Sequence, residues 1–215
     1  MRFENTEVFN FEGALRGMRN PLESWKKSCS GYRNDLTGKQ VYWISEPDMN
    51  LAQRLIKGGS EHRKFLRQIM ISVDITAPLY FYKEFDTYKI GTVANSTSTM
   101  HKIMSKPFTL DMFETDDIED IELDDFEEVL RICNKYRNLY FEDKDNDPIM
   151  AKKYWKALIR VLPESWLQTR TVTMNYEVIR TIVHQRKGHR LSEWKSFIDW
   201  AKTLPYAEDF IFYEN

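Results

Sequence analysis

Cysteine, excess charge and long apolar runs are all scarce in this chain of 215 residues. Its two cysteines, Cys29 and Cys133, form neither a metal-binding nor a redox motif. Cys133 falls on an apolar helical stripe, so we expect it to be a buried thiol. The formal net charge of −2 and the pI of about 6.1 give no electrostatic reason to expect a nucleic-acid partner.

No apolar run is long enough to span a bilayer, and the first residues, M-R-F-E-N-T-E, lack the apolar core of a signal peptide. We therefore expect a cytoplasmic protein with no membrane partner. Aromatic residues are plentiful instead, with six Trp, eleven Tyr and thirteen Phe. Because the hydrophobic content is 42%, the chain can bury one good core or two small ones, and we do not expect intrinsic disorder.

Familiar catalytic motifs are missing as well. The sequence has no glycine-rich dinucleotide motif, no P-loop, no G-x-S-x-G and no H-E-x-x-H. The four histidines lack zinc spacing and no Cys/His pair supports a thiol nucleophile, so we predict no metal site. If the protein is an enzyme, its chemistry then belongs to a bound cofactor rather than to a side-chain nucleophile.

Hydrophobic spacing and capping residues predict a chain that mixes helices with a few strands. Residues 1–40 are typical of a short strand followed by helical pieces, with Asn20 capping a helix that Pro21 begins. Further helices are predicted over 45–57, from about Ser60, from Asp124, and over about 148–162, 175–187 and 192–203, with strands over 68–75 and 167–174. We expect one α/β domain over residues 1–215, with a central sheet flanked by helices.

The segment 83–101, K-E-F-D-T-Y-K-I-G-T-V-A-N-S-T-S-T-M-H, is the most informative part of the sequence. Its middle carries short polar side chains, which bring hydrogen bonds and almost no apolar surface. They are Thr92, Asn95, Ser96, Thr97, Ser98 and Thr99. Because this hydroxyl loop follows directly on the aromatic segment 78–82, it suits the wall of a ligand pocket. A solvated surface loop is the equally open alternative.

A cation falls on the expected buried face of the helix that follows Met174. The apolar stripe of this helix is Val178, Ile179, Ile182 and Val183. At about 100° per residue, Asn175 and Arg186 point nearly the same way as Ile182. A buried guanidinium needs an anion or several acceptors. Arg186 is therefore either one half of an internal ion pair or a site for a ligand phosphate or carboxylate, which its planar fork suits.

The stretch from Asp111 to Glu128 is crowded with Asp and Glu. We interpret residues 105–128 as a solvated acidic connector, whose last carboxylates favour the start of the following helix. The alternative is a docking surface for a basic partner over residues 111–128.

Several segments, in this order, resemble the flavin-dependent thymidylate synthase family. That family has a His-centred helix, a strand, Ala-Pro followed by aromatics, and then the signature R-H-R-x-x-S-x-x-x-x-S-x-R-Y. Here G-S-E-His62, Q-I-M-I-S-V-D-I and Ala77-Pro78-Leu-Tyr follow one another, and the hydroxyl loop falls at the signature. Leu162-Pro163, T-V-T-M-Asn175 and Arg186 are similar to the family's second half. The resemblance covers roughly residues 45–103 and 150–195, and the acidic segment departs from it.

The signature itself is poorly matched. Its opening Arg-His-Arg is Thr87-Tyr88-Lys89 here, and the closing Arg-Tyr is Thr99-Met100. Thr92 and Thr97 replace its two serines, Ala94-Asn95 replaces the usual Asn-Glu, Glu84 replaces the preceding glutamine, and Arg67 replaces a glutamate near His62. Because the family's arginines hold phosphates, losing two or three of them without replacement weakens nucleotide binding by several orders of magnitude. Arg67, Arg160, Arg170 and Arg186 offset part of that loss only if they converge.

The resemblance implies a set of binding roles. His62, Lys89 and Asn175 would contact flavin, and Glu84, Thr92, Asn95, Thr97 and Arg186 would bind the nucleotide, with Arg186 on a phosphate. FAD would be the cofactor, with NADPH and methylenetetrahydrofolate as co-substrates. The protein would be a homotetramer whose sites are built between subunits.

Three functional hypotheses remain after this comparison. The first is a divergent enzyme of this type, which uses FAD to methylate dUMP or a related nucleotide reductively. The second is a catalytically inactive homologue that binds a nucleotide or serves only in assembly. The third is an interaction module that uses the acidic segment.

Overall fold

The computed structural model describes residues 1–116 and 118–214 of the chain. The strands within these residues are Arg2–Phe9 (β1), Gly31–Asn34 (β2), Gln40–Trp43 (β3), Met70–Pro78 (β4), Val93–Ser96 (β5) and Leu167–Asn175 (β6). The helices are Phe11–Arg19 (α1), Glu46–Lys57 (α2), Leu79–Phe85 (α3), Thr99–Lys102 (α4), Asp120–Asp143 (α5), Pro148–Val161 (α6), Tyr176–Arg186 (α7), Ser192–Lys202 (α8) and Ala207–Phe210 (α9). None of these helices is both long enough and apolar enough to cross a membrane.

A four-stranded sheet has the strand order β1-β4-β6-β5, and β2 and β3 form a separate antiparallel hairpin. Asp74 in β4 links neighbouring strands, since its carboxylate accepts from Asn5 Nδ2 at 2.8 Å and from Thr171 Oγ1 at 2.5 Å. These hydrogen bonds hold the pKa of Asp74 below its ordinary value. Helices and an antiparallel sheet in one chain confirm the predicted α/β fold class.

The described residues form two compact units. The first unit comprises residues 1–2, 75–87 and 96–170, and the second comprises residues 3–74, 88–95 and 171–214. Both β4 and β6 contribute residues to each unit. That residues 1–215 act as a single domain therefore stays a prediction.

The first unit contains a hydrophobic core around α5 and α6. Its buried members are Ile103, Met104, Phe108, Phe113, Cys133 and Leu158. The Asn134 amide fixes the adjoining loop, because its Oδ1 accepts from Phe108 N at 2.8 Å and its Nδ2 donates to Phe108 O at 2.9 Å. Cys133 is fully buried, as predicted, and burial raises the pKa of its thiol to about 11.

The second unit has an aromatic core and a buried ion pair. The Phe3 and Trp200 rings stack with centroids 4.9 Å apart, and Trp194 and Phe197 pack beside them. Elsewhere Arg19 Nε donates to Asp48 Oδ1 at 2.5 Å, and both side chains are buried. The hydroxyls of Ser28, Ser30 and Ser45 donate to the other oxygen of Asp48.

The structure corrects three local predictions. Instead of a helix from Ser60, the chain forms turns and then a short 3-10 helix, Lys64–Gln68. The turns close onto Gly59, whose carbonyl accepts from His62 N at 3.0 Å and from Arg63 N at 3.1 Å. Asn20 does not cap a helix at Pro21; it is the first residue of a 3-10 turn, Asn20–Leu22. The short strand and the helical pieces predicted for residues 1–40 are present as β1, α1 and two 3-10 turns up to Lys27, but the β2–β3 hairpin that begins at Gly31 differs from the prediction.

The other predicted elements are confirmed with small shifts at their ends. They are α2, α6, α7, α8, β4 and β6. The helix predicted from Asp124 begins earlier, at Asp120, inside the acidic segment. Its start is stabilised by a capping box, in which the side chains of Glu119 and Glu122 each accept from the other residue's backbone N–H.

Candidate functional site

A tight turn in the hydroxyl loop lies against the start of α7 in the second unit. Thr92 N donates to Lys89 O at 3.4 Å, and Gly91 has a φ of +79°, as the third position of a type II turn requires. A Cβ on Gly91 would lie 2.9 Å from Asn175 Nδ2 and 3.3 Å from Val178 Cγ2. Glycine is therefore required at position 91 for two reasons: the positive φ and the close approach of Asn175.

Asn175 connects β6 to α7 and faces this turn. Its Oδ1 accepts from Val178 N at 3.0 Å, which satisfies one of the unpaired N–H groups at the helix start. The residue is only 8% exposed. Because Oδ1 is fixed by the cap, Nδ2 is the atom directed towards Gly91. The structure confirms the prediction that Asn175 is buried and stands at the start of this helix.

Thr92 carries a buried hydroxyl that the surrounding chain does not satisfy. Its Oγ1 has no hydrogen-bond partner among residues 1–116 and 118–214. A buried hydroxyl without a partner costs free energy, so such an atom marks a place where a bound group could supply the missing hydrogen bond.

At the other end of α7, Arg186 lies among aromatic side chains. Its Nε donates to the Tyr88 hydroxyl at 3.0 Å, and that hydroxyl donates to Gln185 Oε1 at 3.0 Å. The guanidinium carbon lies 4.6 Å from the centre of the Trp194 ring, within the range of a cation–π interaction. The sequence predicted that this cation would need partners, but it identified neither aromatic residue.

We call this set the loop–helix site: Tyr88, Lys89, Gly91, Thr92, Asn175, Arg186 and Trp194, all in the second unit. It combines an exposed ammonium, an oriented guanidinium, a neutral amide and an unsatisfied hydroxyl. Such a set can bind an anion through its cations and the polar edge of a planar ring through its neutral groups.

His62, the remaining predicted flavin contact, lies elsewhere in the second unit. It is exposed and lines a separate cavity of about 330 Å³, together with Pro21, Leu22 and Phe65. Its ring also packs closely on Gly58, where a Cβ would lie 3.0 Å from His62 Cδ2. The contacts found in residues 1–116 and 118–214 do not bring it to the loop–helix site.

The last three predicted nucleotide-binding residues occupy different positions. Asn95 is exposed on β5 in the second unit. Glu84 belongs to the first unit, where its carbonyl accepts from Thr87 Oγ1 at 2.7 Å and closes the end of α3. Thr97, also in the first unit, accepts from Thr169 N through its Oγ1 at 3.3 Å and lines a cavity of about 330 Å³.

No protein-family model and no curated protein matches the sequence. The structure, in contrast, is similar to ThyX, the flavin-dependent thymidylate synthase of Helicobacter pylori complexed with FAD and dUMP. The similarity covers 100% of both chains with a TM-score of 0.69 at 14% sequence identity. The chain has a ThyX-like fold.

A second structure of Helicobacter pylori ThyX with FAD and dUMP gives the same result. It matches 99% of this chain and 97% of its own, with a TM-score of 0.68 and 14% identity. The ThyX-like fold indicated by the sequence resemblance is therefore confirmed. At this identity the comparison concerns the fold, and the roles of individual residues remain predictions.

Proposed function

We propose that the chain is a divergent flavin-dependent thymidylate synthase-like protein, which methylates dUMP or a related nucleotide reductively with FAD. One observation carries this proposal. The loop–helix site places a cation, an amide and an unsatisfied hydroxyl around one turn and one helix, in a fold whose solved neighbours are complexed with FAD and dUMP.

The chemistry of these groups fits a flavin ring. An isoalloxazine has a polar edge of carbonyl and ring nitrogen atoms, and the unsatisfied Thr92 hydroxyl together with the Asn175 amide can hydrogen-bond such an edge. Lys89 and Asn175 hold the cofactor in this proposal, whereas His62, which lines a separate cavity, stays a predicted contact. When bound, FAD supplies the hydride chemistry that no side chain of this protein provides. NADPH and methylenetetrahydrofolate are the co-substrates.

Arg186 binds the phosphate of the nucleotide in this proposal. Its Nε is already used by Tyr88 and one face lies on Trp194, so the side chain is oriented before a ligand arrives. A pre-organised guanidinium loses less rotamer entropy on binding a phosphate than a free one does. Thr92 and Asn95, which belong to the same unit as Arg186, contact the nucleotide in this proposal. We further propose that the protein is a cytoplasmic homotetramer.

A flavin-binding measurement tests the proposal first. Purified protein is examined for flavin absorbance, and its thermal unfolding is then followed with added FAD. We expect either co-purified flavin or a clear rise in the unfolding midpoint, because a ligand that binds only the folded state stabilises it. Protein with no flavin band and no thermal shift in excess FAD would contradict the proposal.

A second candidate is a homologue that binds the nucleotide but lacks catalysis. It is favoured by Tyr88, which replaces the histidine of the opening Arg-His-Arg and uses its hydroxyl to accept from Arg186 and donate to Gln185. Incubation with dUMP, FAD, NADPH and methylenetetrahydrofolate separates the two candidates. Formation of dTMP supports the enzyme, whereas saturable dUMP binding without product supports the binding protein.

A further inference from the structure

A cavity of about 580 Å³ in the second unit is lined by the β2–β3 hairpin, the end of β1 and the segment after α8. We call it the hairpin cavity, and its aromatic lining consists of Phe9, Phe11, Tyr32, Tyr42 and Tyr206. Its volume lies within the range of about 300–1,000 Å³ that is usual for small-molecule sites. None of the loop–helix residues is among its described lining, and the hairpin lies outside the segments that resemble the flavin-dependent family.

The aromatic side chains of the hairpin cavity pack on one another and fix its walls. The Tyr32 and Tyr42 rings meet edge to face with centroids 5.1 Å apart. The Tyr42 ring lies parallel to the Phe11 ring at 6.2 Å, and Phe11 meets Tyr206 edge to face at 5.6 Å. Aromatic pairs in these arrangements are stabilised beyond their simple burial. Tyr32 remains 56% exposed and Phe9 remains 46% exposed, so aromatic surface is still available to a ligand.

Hydrogen bonds at the base of the hairpin hold these walls in place. The Tyr206 hydroxyl donates to Tyr42 O at 2.9 Å and accepts from Ile44 N at 3.1 Å. Ser45 N donates to Ser30 Oγ at 2.8 Å, which joins the two segments that flank the hairpin. A ligand would therefore meet walls that are ordered in advance, and this lowers the entropy cost of binding.

Lys39 is the one charged residue that lines the hairpin cavity in the described part of the chain. Its ammonium forms no ion pair with a carboxylate of residues 1–116 or 118–214. The Asp35 carboxylate attracts it, but Asp35 Oδ1 accepts from Thr37 N, Thr37 Oγ1 and Lys39 N within the hairpin turn. A single cation beside aromatic walls favours a ligand that combines a ring with one negative charge.

We propose that the hairpin cavity binds a planar aromatic carboxylate. The ring of the ligand packs against Tyr32 and Phe9, and its carboxylate lies beside the Lys39 ammonium. One lysine balances the single charge of a carboxylate, whereas a phosphate monoester carries about −1.5 to −2 at neutral pH. Lysine acts as a point charge without a fixed orientation, so the ring contacts select the shape of the ligand. This site is separate from the proposed sites for FAD and dUMP and does not depend on that function.

Calorimetric titration of the full chain with 2-naphthoate tests the proposal. The neutral 2-naphthamide and the saturated decahydro analogue of 2-naphthoate are the ligand controls. Tyr32→Ala removes part of the aromatic wall, and its matched control is Trp25→Ala, which removes another half-exposed ring of the same unit. Lys39→Gln removes the cation, and its matched control is Lys26→Gln, at an exposed lysine that does not line the cavity.

We expect 2-naphthoate to bind the unaltered protein saturably and both control ligands to bind more weakly. Tyr32→Ala and Lys39→Gln should each weaken 2-naphthoate by about fivefold or more, because each removes one direct contact. Both control variants should bind it as the unaltered protein does. Lys39→Gln changes an exposed side chain, so a folding defect in Tyr32→Ala would leave the test decisive.

Several results would overturn the proposal. Absence of saturable 2-naphthoate binding would do so, as would equal affinity in Lys39→Gln and Lys26→Gln. Equally tight binding of the amide or of the saturated analogue would contradict the carboxylate or the planar ring. Displacement of 2-naphthoate by FAD or dUMP would contradict a separate site. If the probe does not bind and sedimentation shows that Tyr32→Ala separates subunits, the cavity is instead an interface between copies of this chain.

Discussion

Replacing Asp48 by Asn should destabilise the protein by about 4 kcal/mol, although the two side chains have nearly the same shape. Asp48 is fully buried and accepts from Arg19 and from three serine hydroxyls. Asn preserves most of this geometry, because the hydroxyls can rotate to accept from its amide. The variant therefore removes the charge of Asp48 and little else.

The magnitude follows from the charge that remains. Arg19 is 3% exposed, and its Nη2 already has no partner among the described residues. Opposite charges about 4 Å apart attract by about 4 kcal/mol at an effective dielectric of 20. Breaking a buried pair on one side costs about 3–5 kcal/mol in measured cases. For a chain of this size the loss corresponds to a fall of about 10 °C in the unfolding midpoint.

The pH dependence of stability provides an independent test of the role of the Asp48 charge. Burial alone would raise the pKa of Asp48, but hydrogen bonds from Ser30, Ser28, Ser45 and Arg19 together hold it below its ordinary value of 3.8. A carboxyl whose folded-state pKa is lowered stabilises the protein above the unfolded pKa and loses that contribution as pH falls below it. Unfolding of the parent protein should therefore become easier below about pH 4. The Asn variant should lose less stability over the same range.

Urea unfolding followed by tryptophan fluorescence measures both effects. Asp199→Asn is the matched control, because Asp199 forms an exposed pair with Lys202 in the same unit. We expect the control to unfold at the same urea concentration as the parent. The reasoning is refuted if Asp48→Asn loses no more stability than Asp199→Asn. It is also refuted if the stability of Asp48→Asn falls below pH 4 as steeply as that of the parent protein.

Two further predictions concern the turn and the thiols. Gly91→Ala should destabilise the protein by about 1–3 kcal/mol in thermal unfolding. Alanine is strained at positive φ, and its Cβ would lie too close to the capping Asn175. An unchanged unfolding midpoint would contradict this prediction. In thiol labelling at pH 8, exposed Cys29 should react quickly, whereas Cys133, buried and with its pKa raised to about 11, should react only on unfolding. Equal rates would contradict the buried core around α5.

The long elements could be predicted because their sequence patterns are local. In α7 the apolar stripe, the Asn175 cap and the preceding β-branched strand all agree, and the structure follows them. The β2–β3 hairpin was missed because most of its side chains are exposed, so no apolar alternation marks it. Its turn signals, Asp35 and Gly38, lie within residues 1–40, where the sequence pattern predicts helical pieces after the first strand.

Partners distant in sequence could not be predicted from spacing. Arg19 and Asp48 are 29 residues apart. Neither residue disrupts the hydrophobic spacing of its own helix strongly enough to predict a buried ion pair. The spacing predicts Arg186 on the buried face of α7, where the structure leaves it half-buried, and its partner Tyr88 lies 98 residues away. The unsatisfied Thr92 hydroxyl depends on how the loop packs, which a single sequence does not encode locally.

Titration of dUMP into full-length protein supplied with FAD tests the central claim most directly. The unaltered chain should bind dUMP saturably, and Arg186→Ala should weaken binding by about 10- to 150-fold, the value of one hydrogen bond to a charged group. Arg190→Ala, which removes an exposed arginine from the segment after α7, should leave the affinity unchanged. If the unaltered protein does not bind dUMP, or if Arg186→Ala binds it equally well, the loop–helix site is not a nucleotide site.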